Sequence, residues 1–240
     1  MSDLDPFAAF PGDFDGRVRL FPLPELVLFP HALQPLHIFE PRYCEMLEEA
    51  LATDQLITLA TLCPGWHEPI TGQPAISPYV CVGHIATHAP TDDDRHNILL
   101  VGLQRARIIE EIVDTGRPFR SAQVELIEDY YPATGSQLRQ ELKKKLLDAF
   151  RAFIPDVADM QKNLHALMAS QMQLGTIVDI ISFTLQLPTE AKLALLGEGN
   201  VDVRANQLLQ FLQLRANDQP PKQAGNSSQG PQFPPSFSEN

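Results

Sequence analysis

The spacing of apolar residues changes rhythm once along this chain. From Arg17 to Ile127 they come in short runs of four to eight, several alternating with polar residues, whereas from Leu138 to Leu214 they recur every three or four positions. The first rhythm predicts strands and the second predicts helices. Arg17 to Leu23 and Leu26 to Phe29 are brief apolar runs interrupted by Pro22, Pro24 and Pro30, which remove ladder donors and suit edge strands or strand ends. Ala32 to Phe39 is a further extended run, stopped at Glu40-Pro41, where Glu40 is pushed out of the α region and Pro41 fits the first position of a helix. In that helix Tyr43, Met46, Leu47, Ala50 and Leu51 form the apolar face, and Glu45, Glu48 and Glu49 the wet one. Gln55 to Cys63 reads as a strand ending at the Pro64-Gly65 turn, followed by a proline-rich loop from Trp66 to Pro78. Tyr79 to Thr87 reads as a buried strand, residues 91–94 as a polar turn, and Asn97 to Val113 as a long strand that bends at Gly102 or continues as a second arm. Phe119 to Ile127 alternates Ala122, Val124 and Leu126 with Ser121, Gln123 and Glu125. About six strands and one helix are expected, closing as a compact, partly open barrel.

The second rhythm begins after Tyr130-Tyr131-Pro132. A helix from Gly135-Ser136 to Phe153 carries the stripe Leu138, Leu142, Leu146, Phe150 and Phe153, and Pro155 stops it. Asp156 or Asp159 caps a second helix through Leu164, Leu167 and Met168. A third, Leu174 to Leu187, has Asp179 as its single charge and is expected at the centre of the bundle. A short helix from Ala191 to Leu196 follows the Pro188 break, and Val201 to Leu214 closes the set with Val203, Leu208, Leu209 and Leu212. The fold class is therefore α+β: a β-rich pseudo-barrel lobe over 17–131 with one helix, then an α-helical bundle over 133–216, joined by a proline-stiffened link with little slack. Residues 1–16 form an acidic leader expected to be flexible, with Phe7, Phe10 and Phe14 able to tack it down. Residues 217–240, rich in Gln, Pro, Gly, Ser and Asn, read as a disordered tail.

Composition narrows the partners. A net charge of −12 disfavours nucleic acid and anionic membrane surfaces, since binding there rests on cation density. The basic run Lys143-Lys144-Lys145 fans out on a helix, where Lys145 can pair with Glu141 four residues earlier. No apolar run approaches the ~18 residues of a membrane span and no basic-then-apolar leader is present, so a cytoplasmic location is expected. Three cysteines, Cys44, Cys63 and Cys81, are an odd number without a CxxC pair, which fits a reducing compartment.

The opening stretch carries a family resemblance. Leu20-Phe21-Pro22-Leu23, Val27-Leu28-Phe29-Pro30 and Pro35-Leu36-His37-Ile38-Phe39-Glu40-Pro41-Arg42-Tyr43 resemble the signature of the LON domain, the amino-terminal substrate-binding domain of ATP-dependent Lon proteases. Cys81-Val82-Gly83-His84-Ile85 and Asn97 to Ile108, with Gly102, resemble its two central strands, and the likeness extends over about residues 17 to 214. The domain also occurs on its own in small bacterial proteins, and a free-standing form is expected here. The motif residues Pro35, Phe39, Glu40, Pro41, Arg42, Tyr43, Gly83 and Gly102 are read as structural: Glu40 capping the helix with its side chain, Arg42 pairing across a loop.

The residues offer little catalytic chemistry. A phosphate-cradling GxxxxGK[ST] loop is ruled out because no Gly-Lys pair occurs, and no serine sits in a GxSxG turn. Glu48/Glu49 and Glu110/Glu111 are adjacent residues whose side chains diverge, and they read as solvated charge. Cys63-x3-His67 with Cys81-x2-His84 has zinc-like intervals, but on a strand Cys81 and His84 face opposite sides. His84 and His88 share a face about 13 Å apart, too far for one ion, and read as wet-face residues. No catalytic residue, metal or cofactor is assigned. Trp66, the only tryptophan, is either a core plug or an exposed anchor for a bound polypeptide. The resemblance implies a non-catalytic module that binds unfolded or exposed polypeptide segments without ATP. The alternatives are an adaptor docking a separate protease or other folded partner, and an enzyme with a small-molecule or metal site between the lobes. Oligomeric state is not legible.

Overall fold

The computed structural model describes residues 14–66, 73–91, 95–113, 116–154 and 172–218. Six strands form one sheet: β1 (Arg17–Leu23), β2 (Leu33–Ile38), β3 (Leu56–Thr61), β4 (Tyr79–Thr91), β5 (Arg95–Ile112) and β6 (Arg120–Leu126). Their order is β2-β5-β4-β3-β1-β6, and β5 also pairs with β6, so five strands close into a ring from which β2 projects. The 18-residue β5 makes this possible. Its first half pairs with β2 from Val101 to His96, and its second half turns away to pair with β6 from Ala106 to Ile112.

Inside the ring lie Leu20, Leu56, Ala60, Val80, Val82, Ala106, Ala122 and Val124, one contribution or more from every strand of the closure. Alternate residues on the outer face, among them Phe21, Ile57, Leu59 and Cys81, join a second core. Helix α1 (Pro41–Ala52) packs there through Tyr43, Met46, Leu47 and Ala50, as the spacing predicts, while Glu49 is drawn into ion pairs with Arg19 and Arg117 rather than left in solvent. Among the described residues four helices complete this core: α2 (Arg139–Arg151), α3 (Leu174–Thr184), α4 (Thr189–Gly197) and α5 (Val201–Asp218). Leu146, Phe150, Ile177, Ile181, Leu195 and Leu208 belong to the same cluster as Phe21 and Leu59, so sheet and helices share one apolar interior.

Several expectations are corrected. Of the two placements expected for β1, edge or strand end, only the second holds: β1 lies between β3 and β6, with Pro22 next to its last residue. Pro22 is tolerated because β6 pairs only with Arg17 to Leu20, leaving Pro22 with β3 alone as a neighbour. Leu26 to Phe29 is not a strand, because the chain reverses on either side of it. Glu25 and His31 have φ of 55° and 64°, and Leu26 N–H donates to the Pro24 carbonyl at 2.6 Å in a tight γ-turn. Val27, Leu28 and Phe29 are buried all the same. Helix α2 starts at Arg139, so Leu138 precedes it and is 65% exposed; Val203 is 40% exposed, turned away by the register of α5. α5 runs to Asp218, so residues 217–218 are helical, and 219–240 lie outside the described residues. The helix expected through Leu164, Leu167 and Met168 also lies outside them, as do residues 1–13.

Gly83 and Gly102 face each other across β4 and β5, where the ladder shifts register. A side chain on Gly102 would drive into the Phe29 carbonyl. Its absence lets the 24–32 segment cross the sheet, with His31 N–H donating to the Gly102 carbonyl at 2.7 Å and Gly102 N–H donating to the Ala32 carbonyl at 2.9 Å.

Candidate functional site

Two surfaces and one buried cluster concentrate polar and exposed apolar groups. The buried cluster lies where β5 meets the helices. Arg105 from β5, Asp179 from α3 and Arg204 from α5 are 1%, 2% and 0% exposed. Arg105 Nη2 donates to Asp179 Oδ2, and Arg204 Nε sits 3.3 Å from Asp179 Oδ1. Asp129, after β6, accepts from Arg204 Nη2 at 2.8 and 2.9 Å and lies 3.2 Å from Arg105 Nη1, and both arginines donate to the Glu198 carbonyl. Burial pushes the Asp179 carboxyl above the usual range and the two guanidiniums oppose that shift. The Tyr130-Tyr131-Pro132 link is fastened here as well: Tyr130 exchanges backbone hydrogen bonds with Gly199 and Val201, and the Tyr131 hydroxyl accepts from Gly175 N–H at 3.2 Å.

The first surface is the outer edge of β2, whose only partner among the described strands is β5. Because the Ala32 carbonyl accepts from Gly102, alternation directs the backbone groups of Leu33, Pro35 and His37 away from β5. Pro35 brings no donor to this edge, and its carbonyl accepts from Gln34 Nε2 at 2.8 Å. Leu33 and Phe39 flank the edge, 49% and 51% exposed, while Leu36 and Ile38 face the core. The His37 ring stacks on Phe39 at 5.9 Å and is steadied by Asn97 Oδ1, 2.8 Å from its Nδ1.

The second surface is a cavity of about 320 Å³ lined by Arg42, Tyr43, Ile112, Val113, Arg117, Phe119 and neighbouring residues. Phe39, Glu40 and Pro41 alone separate it from the end of β2. Its three arginines are each paired: Arg42 with Glu40 at 2.7 Å, Arg117 with Glu49 at 2.9 Å, and Arg120 with Glu111 at 2.6 and 2.8 Å. Glu40 therefore does not cap α1 with its side chain. Its backbone sits at the N-cap position, its carbonyl accepting from Tyr43 and Cys44, while its carboxylate is claimed by Arg42, two residues away and not across a loop. The Arg42 guanidinium lies 4.6 Å over the Tyr43 ring.

The family model of the ATP-dependent protease La (LON) substrate-binding domain matches residues 17–213. The chain belongs to this family. Its LON relatives include the Lon proteases of Heliobacterium modesticaldum, 28% identical, and Escherichia coli K12, 24% identical, each over 82% of this chain and 24% of the relative. The chain thus spans about a quarter of the length of the curated Lon proteases it matches. The fold is also that of solved LON domains. A Lon N-terminal domain protein from Xanthomonas campestris superposes with a TM-score of 0.56 at 21% identity, over 81% of this chain and 98% of that one. The N-terminal domain of a Mycobacterium avium complex Lon protease gives 0.60 at 14% identity, over 82% and 98%.

Of the LON motif residues, Pro35 and Phe39 lie on the β2 edge, Arg42 and Tyr43 line the cavity, Glu40 and Pro41 join the two, and Gly83 and Gly102 make the crossing beneath. Trp66 stands apart: it is half-buried after the Pro64-Gly65 turn and is not among the cavity's lining. His67 lies outside the described residues, Cys81 is fully buried, and His84 is half-buried beside Leu56 on the face opposite Cys81, its pKa lowered by burial. His84 is thus no wet-face residue. Among the described residues no helix is long and apolar enough to cross a membrane. Sequence reasoning missed Leu33, whose exposure the odd-numbered set 33, 35, 37, 39 signals once Pro35 is placed on an edge, and it missed Arg105 and Arg204, which look like surface arginines until the fold encloses them.

Proposed function

We propose that the chain binds unfolded or exposed polypeptide segments by adding an extended segment to the edge of β2, using neither ATP nor peptidase chemistry of its own. The observation that carries this reading is the β2 edge, unpaired among the described strands and flanked by exposed Leu33 and Phe39. Backbone hydrogen bonds to such an edge are indifferent to client sequence, while flanking apolar side chains reward exposed hydrophobes. Pro35 interrupts the donor row, so the edge accepts short segments and resists pairing with long strands. An enzyme reading gains no support from the cavity, where Glu111 is held by two N–H groups of Arg120 and no histidine is among the described lining residues.

The test is fluorescence anisotropy with a labelled, permanently unfolded polypeptide and the purified chain. Phe39→Ala should weaken binding by about 1–3 kcal/mol with the melting temperature unchanged, and N-methylation of alternate peptide amides should do the same. Full affinity in both cases would remove the edge from the binding surface. Trp66 is proposed as a second contact: Trp66→Ala should also weaken capture, whereas a large fall in melting temperature would make it a core residue instead.

A further inference from the structure

The end of the β4–β5 hairpin brings together two histidines that the function above leaves unused. His88 pairs with Ile98 and His96 with Pro90, so the two imidazoles lie diagonally on one face of the hairpin. His88 Nε2 is 2.9 Å from His96 Nδ1, with ring centroids 5.1 Å apart. His84, on the same strand, is too far along β4 to share an ion with His88, whose neighbour in space comes from the opposite strand.

We propose that His88 and His96 form a two-imidazole binding site for a divalent transition metal that favours tetragonal geometry, Cu²⁺ or Ni²⁺, with water in the remaining positions. At a metal–nitrogen distance of about 2.05 Å, two nitrogens 2.9 Å apart subtend about 90° at the ion, the angle between neighbouring ligands of a square-planar or octahedral centre. A tetrahedral zinc would need them about 3.3 Å apart. In the metal-free pair one of the two facing nitrogens carries the shared proton. Metal binding needs both lone pairs, so that ring must take its other tautomer, the proton passing to its far nitrogen through solvent, with no net change in protonation. His88 is exposed, so its ring can turn to aim at an ion outside the sheet. His96 is also the register partner of Ile38, so the ion would clip the hairpin where it borders the end of β2 and Phe39.

The experiment is a titration of the tag-free full chain with Cu²⁺ alone, followed by calorimetry and by electron paramagnetic resonance. The expected result is one site showing two equatorial nitrogens, with at least tenfold weaker binding in both His88→Asn and His96→Asn and no further loss in the double variant. His31→Asn, at the opposite end of β2 from Ile38, should bind as the unaltered chain does. Metal-free melting curves of the variants confirm that they fold. Unchanged Cu²⁺ affinity in either hairpin variant, or a signal without two nitrogens, would overturn the assignment.

Discussion

Arginine–carboxylate pairs in two regions of this molecule do different physical work. At the junction of β5 with the helices, Arg105, Asp179 and Arg204 are sealed from water, and around the cavity Arg42, Arg117 and Arg120 pair with Glu40, Glu49 and Glu111 while partly exposed. In the first region each charge has lost its hydration, so its partners must be in place and the geometry is fixed. A sealed network of this kind lends little net stability over apolar packing, yet breaking it is severe. In the second, water screens the pairs and remains available to replace them. The motif that marks the family in sequence, around Glu40 and Arg42, thus lies in the energetically cheap region, and the expensive region is built from residues no motif announces.

The largest effect should follow from Asp179→Ala, which leaves Arg105 and Arg204 buried together without the carboxylate between them. A loss of about 3–5 kcal/mol in urea unfolding is expected. A loss below about 1 kcal/mol would mean that water reaches the junction, and the contrast between the regions would collapse.

Next in size is Gly102→Ala, where the obstacle is backbone and cannot rotate away. About 2 kcal/mol of destabilisation is expected, together with faster amide exchange at His31, whose N–H donates to the Gly102 carbonyl. Unaltered exchange there would show that the crossing segment tolerates displacement.

Legibility in the sequence divides along the same line. Period-3.6 spacing placed α1 and period-2 spacing placed β6, where burial of one face imposes the rhythm, while β3 and β4 showed as short apolar runs because both their faces are buried. Pro41 gave the start of α1 correctly because a fixed φ and a missing donor are local facts. Leu26 to Phe29 misled because the run is buried by a loop crossing, which needs the close approach at Gly102, seventy-odd residues away. Asp179 was visible as the lone charge of an apolar helix, but its partners, Arg105 and Arg204, come from β5 and from α5, and no local rhythm links them. The β2 edge was anticipated only in general terms, since being an edge depends on which strands close the ring.

A smaller effect concerns acid. Burial lowers the pKa of His84, so the folded chain resists a proton that the unfolded chain accepts below its ordinary value of about 6.5. The unfolded state then binds more protons, and stability falls as pH drops below that value. His84→Gln should flatten this part of the profile, read as unfolding free energy at pH 7.5, 6.5 and 5.5. A variant that keeps the full slope would move the acid sensitivity elsewhere.

The smallest effect is expected at Glu40 and Arg42. Their side chains are 38% and 28% exposed, and two Arg42 N–H groups meet a single Glu40 oxygen across two residues of chain. A double-mutant cycle with Glu40→Gln and Arg42→Gln should give a coupling of about 0–1 kcal/mol, falling further with added salt. The same cycle on Asp179 and Arg204 should give a much larger value with little salt dependence, because no counterion reaches a sealed pair. Equal couplings would show that exposure does not separate the two regions. If instead the Glu40–Arg42 coupling rises when an unfolded polypeptide is bound, the client has excluded water from the pair, and the cavity then belongs to the binding surface that begins at β2.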